Sequence, residues 1–102
     1  MEKRLKLHEE LCAIFGSRNV YFQPPESIKL EYPCIVYEKS RIARRTANNR
    51  TYMSHDQYTV TVIDRDPDSD MEDRLLEYFP MCSFDRSFSS DGLNHSVLTL
   101  YY

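Results

Sequence analysis

The sequence predicts an α+β domain: one mostly antiparallel sheet of four to five strands with two helices packed on one face. Three observations predict it. Hydrophobic period switches between about 3.6 and 2 along the chain, marking elements in the order α-β-β-β-α-β-β. Strand-like runs are grouped before and after the second helix instead of alternating with helices, which favours α+β over a parallel α/β sheet. The chain has 102 residues, 41% of them apolar with eight Tyr and five Phe, enough for one modest core. Residues 1–102 therefore read as a single domain with a projecting hairpin arm at about 40–52.

The first helix is KRLKLHEELCAIFG, residues 3–16. Leu7, Leu11 and Ile14 recur at helical spacing, and Leu5, Cys12 and Phe15 widen the stripe. Gly16 suits the left-handed position that follows a helix. Lys3 and Arg4 stand at the end that the helix dipole disfavours for cations.

Val20 to Phe22 form a short strand that Pro24-Pro25 must end, because proline donates no ladder hydrogen bond. Pro33 opens the next strand, YPCIVYEKS. In YTVTVID, Tyr58, Val60 and Val62 point one way, and Thr59, Thr61 and Ile63 the other. These two strands enclose a polar stretch with Asn48-Asn49, so they read as a long antiparallel hairpin. The second helix, DPDSDMEDRLLEYFP, buries Met71, Leu75, Leu76 and Phe79. Ser69 with Glu72 three residues on is a capping-box pattern, and Asp68 and Asp70 suit the positive dipole end. CSFDRSF and LNHSVLTLYY complete the sheet through a turn at Ser90-Asp91-Gly92, where Asp-Gly favours a tight hairpin.

Composition excludes several classes of function. No run approaches the roughly 20 apolar residues of a spanning helix and no secretory pattern occurs, so a cytoplasmic protein without membrane contact is expected. Cys12, Cys34 and Cys82 are scattered and odd in number, which fits buried thiols better than disulfides or zinc. Asp66, Asp68, Asp70 and Glu77 match positions of a calcium loop, but Met71 stands where the loop needs Gly, and the same residues carry a helix. His8, His55 and His95 have no nucleophile, metal-ligand spacing or phosphate loop beside them. No catalytic residue, metal or cofactor is expected.

The stretch RIARRTANNR carries Arg41, Arg44, Arg45 and Arg50 and no acid, within a chain of net charge −3. A dedicated duplex binder usually has an isoelectric point above about 9, whereas this chain has one near 5.5. Residues 64–77 carry seven acids against Arg65 and Arg74, a local charge of −5. Opposite patches on different sides of one subunit suit a head-to-tail interface, with Arg41, Arg44, Arg45 and Arg50 facing Asp66, Asp68, Asp70 and Asp73 of a neighbour. The arm could instead be a solvated tip, or could face DNA phosphates without reading sequence, as in a nucleic-acid-binding accessory module. Surplus strand aromatics add a second hint, since a sheet with helices on one side cannot bury both faces by itself.

VYFQPPES, YPCIVYE, YTVTVIDRDPDS and LNHSVLTLYY, in this order and spacing, resemble the tail terminator or head–tail joining proteins of long-tailed bacteriophages and prophages of Gram-positive bacteria. The resemblance runs from about Leu7 to Tyr102. It implies a non-enzymatic α+β subunit that assembles into a hexameric ring on the tail tube. Such a ring stops tube polymerisation and presents a surface to the head connector. The implied partners are further copies of the chain, the major tail tube protein and the head–tail connector protein; in such a ring the arm reading adds a sequence-independent DNA contact in the lumen as an alternative. The implied location is the virion head–tail joint, reached from the host cytoplasm. On this likeness Pro24-Pro25 and Pro33 shape the sheet edge, and the hairpin from Tyr37 to Tyr58 reaches a neighbour or the tube. The arginine density of the arm has no counterpart in the family pattern.

Overall fold

The computed structural model describes residues 2–41, 56–66 and 68–102. Two helices and five strands follow in the expected order: α1 (Glu2–Phe15), β1 (Val20–Phe22), β2 (Cys34–Arg41), β3 (Gln57–Asp64), α2 (Met71–Tyr78), β4 (Cys82–Ser90) and β5 (Leu93–Tyr101). The strands form one sheet in the order β1-β2-β3-β5-β4. Three of its four pairings are antiparallel. The fourth, β1 with β2, is parallel, so the sheet is mixed.

Both helices cover the same face. Leu7, Leu11 and Cys12 of α1 join Met71 and Leu75 of α2 and Phe79 beyond it. They pack on Val20, Ile35, Tyr37, Tyr58, Val60, Val62, Leu98 and Leu100 from the sheet. The alternation in β3 explains the strand side: Tyr58, Val60 and Val62 are spaced by two and all point at the helices. Burying each of the larger aliphatic side chains contributes roughly 1.5–3 kcal/mol. Among the described residues, no helix covers the opposite face. There Cys34, Ile63 and Val97 are buried outside the helix-side cluster, while Phe88 and Tyr101 stay exposed.

Local rules set most boundaries. Gly16 takes φ 78° and its N–H donates to the Cys12 carbonyl at 2.8 Å, closing α1. Asp91 and Gly92 have φ of 55° and 75°, the two positive values of a two-residue hairpin turn, with Ser90 paired to Leu93. Asp91 tolerates its angle and Gly92 does so without steric cost. β1 ends at Phe22, followed by Gln23 at φ 43° and then the two prolines.

The second helix departs from expectation. It starts at Met71, and Asp66 and residues 68–70 are loop. The capping box does not form. Asp70 is the N-cap residue without a side-chain bond, and Ser69 Oγ accepts from the Met71 N–H at 3.3 Å. Glu72 instead accepts a hydrogen bond from Ser96 of β5. A tertiary donor, the Ser96 hydroxyl, has displaced the local backbone one. Leu5, which the helical stripe of α1 included, lies 48% exposed.

The three cysteines are free, with Cys12 and Cys34 buried and Cys82 half-buried. Among the described residues no helix is long and apolar enough to cross a membrane.

Candidate functional site

The acidic residues lie on the loop that leaves β3. Asp64 Oδ1 accepts from the Asp66 N–H at 3.0 Å, and Asp66 Oδ1 accepts from the Asp68 N–H at 2.9 Å. Two successive Asx turns therefore shape the loop. The Ser69 N–H donates to the Asp66 carbonyl at 3.3 Å, and Asn94 Nδ2 of β5 donates to the Arg65 carbonyl at 3.4 Å. These bonds hold the loop to the sheet and leave Asp66, Asp68, Asp70 and Asp73 exposed. Asp73 stands in the first turn of α2 beside Glu72, where the helix dipole favours anions.

None of these four acids has a salt bridge among the described residues. The ion pairs found there are Arg18 with Glu9 at 3.1 Å and Lys39 with Asp56 at 3.5 Å. No described cation therefore neutralises the acidic surface.

Strand β3 decides where that surface lies relative to the arm. Arg41 pairs with Gln57 at one end of the β2–β3 ladder, and Cys34 pairs with Ile63 near the other. The segment bearing Arg44, Arg45 and Arg50 departs from the Arg41 end; those residues, with His55, lie outside the described residues, and Arg41 is placed there by its backbone alone. The acidic loop begins at Asp64, at the opposite end. Eight residues of strand separate the two points, roughly 23 Å at about 3.3 Å per residue. Helix α1 runs counter to β1, so Arg4 near its start lies toward the arm end, with its guanidinium 4.4 Å from the Phe22 ring centre.

The remaining titratable groups read as packing. His8 Nδ1 and the Tyr37 hydroxyl share a 2.8 Å hydrogen bond in the helix–sheet interface. Burial, and then the nearby Arg4 charge, lowers the pKa of His8. His95 stacks on Phe88 with ring centres 4.7 Å apart on the uncovered sheet face. Burial pushes the Cys34 thiol up to about 11, and such a thiol is a poor nucleophile at neutral pH. Among the described residues no group of three or more His, Cys, Asp or Glu is placed to hold a metal ion. The groove between the helices, about 430 Å³ and lined by Lys6, Glu9, Glu10, Ala13, Ile14 and Tyr78, is shallow and brings no histidine to its carboxylates.

Three features escaped the sequence reading. The His8–Tyr37 bond, the bond between Tyr102 and Glu10, and the exposure of nearly all of β4 depend on partners far apart in the chain. The one available signal was the polar composition of β4, four serines in nine residues, which is unusual for a covered strand.

These features define a single α+β domain whose described residues leave one sheet face uncovered and its acidic end without a salt bridge. Comparisons with protein-family models, with curated proteins and with solved structures found no match to this chain.

Proposed function

We propose that this protein is a structural, non-enzymatic subunit of a phage virion. Copies of it close into a ring, a hexamer on the family resemblance, at the end of the tail tube. The ring stops tube polymerisation and joins the tail to the head connector. The observation that carries this reading is the placement of the acidic loop at the end of β3 opposite to the strand ends from which the arginine-bearing segment departs. The base of the arginine arm and the exposed Asp66, Asp68, Asp70 and Asp73 stand at opposite ends of β3. Unlike charges on opposite ends of one subunit favour head-to-tail contact between copies, and a head-to-tail contact closes into a ring when its rotation permits. The uncovered face, with Phe88 and Tyr101 exposed, adds apolar surface for the tube or the connector.

The test is assembly in the presence of tube protein, followed by sedimentation and negative-stain imaging. Arg44→Glu with Arg45→Glu should abolish rings while leaving the monomer folded. Adding Asp66→Lys and Asp68→Lys to that variant should restore them. Monomers alone under every condition would overturn the reading, and rings indifferent to the reversals would reduce the arm to a solvated tip. Tight, salt-sensitive retention of nonspecific duplex in gel shifts would instead favour the nucleic-acid-binding module.

A further inference from the structure

The two edges of the sheet are built differently. β1 offers three residues before Gln23 and the proline pair end it. β4 offers nine, without proline, and among the described residues it pairs with β5 on one side only. Ser83 to Ser90 are all exposed. A long edge strand leaves a row of backbone N–H and C=O groups ready to pair with another strand, and folded proteins usually shorten or block such edges. β1 is blocked in this way and β4 is not.

The geometry points to β4 as a self-pairing edge, taken up by β4 of a second copy in antiparallel, two-fold symmetric fashion. Two independent features select a second copy over another strand. The first is a bulge. Phe84 pairs with Leu98 and Arg86 with Val97, so Asp85 is an extra residue. A regular strand laid on this edge would fall out of register at Asp85. A second β4 carries the same extra residue, and the two bulges match two against two.

The second feature is charge. Asp85 and Arg86 are the only charged residues of β4, adjacent and opposite in sign. In a regular strand, two-fold antiparallel pairing sets each residue opposite one of the same parity. The central register would then face Asp85 with Asp85 or Arg86 with Arg86. The bulge removes that constraint. Before it, Ser83 lies on the uncovered face and Phe84 on the helix side; after it, Ser87 lies on the helix side and Phe88 on the uncovered face. With the axis between Asp85 and Arg86, Phe84 meets the partner's Ser87 and Ser83 meets the partner's Phe88, like face to like face. Each Asp85 then meets the partner's Arg86. Opposite charges in directly facing positions stabilise a pair of strands, and like charges oppose it.

This pairing is independent of the ring reading. It uses the side of the sheet, whereas the acidic loop lies at one set of strand ends and the arginine segment departs from the other.

Sedimentation velocity of the full chain over a concentration series tests it. The wild-type chain is expected to show a monomer–dimer equilibrium. Arg86→Asp gathers four carboxylates at the axis and should raise the dimer dissociation constant at least about tenfold, a change of about 1.4 kcal/mol. Asp85→Arg combined with Arg86→Asp should bring it back toward wild type. Arg44→Glu with Arg45→Glu should leave this dimer intact, whatever happens to rings. A chain that stays monomeric at every concentration, a dimer unaffected by Arg86→Asp, failure of the double swap, or loss of the dimer on reversing the arm would each overturn the inference.

Discussion

The hydroxyl of Tyr102 donates to Glu10 Oε2 at 2.5 Å, across 92 positions of the chain. The same residue exchanges two backbone hydrogen bonds with Asp56, at 3.0 and 3.1 Å, and its ring meets Phe79 edge-on at 6.1 Å. One residue thus ties β5 to α1 and to the end of α2 by its side chain, and to the start of β3 by its backbone. Burial, and then the Glu10 carboxylate, raises the pKa of the Tyr102 hydroxyl.

Tyr102→Phe and Glu10→Gln should each destabilise the fold by about 1 kcal/mol, and a double-mutant cycle by urea unfolding should show that the two losses are not additive. A raised tyrosine pKa favours the protonated form in the fold. The contribution is therefore full below about pH 10 and declines as pH rises beyond it. Tyr102→Phe should flatten that alkaline decline; an unchanged pH profile would show that the bond does not stabilise the fold.

His8 works in the opposite pH range. Its pKa is lowered in the fold, so the unfolded chain binds more protons than the folded one once pH falls below about 6.5. Its contribution to stability is complete above that value and is lost as pH falls through the folded pKa. Urea midpoints between pH 7.5 and 5 should drop for the wild-type chain, and less for His8→Gln. Equal drops would assign the acid sensitivity to other groups.

Leu11 and Leu5 lie on the same helix with opposite fates, one fully buried and the other 48% exposed. Leu11→Ala should cost roughly 2–5 kcal/mol through lost burial and the cavity left behind. Leu5→Ala should stay within about 0.5 kcal/mol in the isolated chain. Thermal melts of the two variants check the contrast, and comparable losses would mean that Leu5 is covered in solution.

Burial holds the Cys34 and Cys82 thiols at about 11. Iodoacetamide at pH 8 should therefore modify both slowly in the folded chain and rapidly in urea, as read by mass spectrometry. Fast labelling of Cys34 without denaturant would show that the uncovered face opens.

Much of the fold could be read in advance because its signals are local. The repeats of Leu7, Leu11, Met71 and Leu75, the alternation from Tyr58 to Val62, and the turn residues Gly16, Asp91 and Gly92 act within a few residues of themselves. The start of α2 was misread where a distant group intervened: Glu72, suited to a local cap, is taken by Ser96 on β5. For the candidate site, the sequence supplied the acids and the arginines but not their positions. Nothing local says that eight residues of β3 separate the acidic loop from the strand end where the arginine segment joins, or that the acids find no salt-bridge partner among the described residues.

By itself, then, the sequence determined the elements, their order, the face of each that is apolar and the presence of two opposed charge runs. The tertiary structure alone decided that β1 pairs in parallel with β2, that β4 is the bare edge of the sheet among the described residues, and that Tyr102 reaches Glu10. The physical reason is range. Periodicity and turn chemistry act over one or two turns of chain, whereas strand order and hydrogen bonds between distant side chains are chosen by how the whole set of apolar faces can be buried at once.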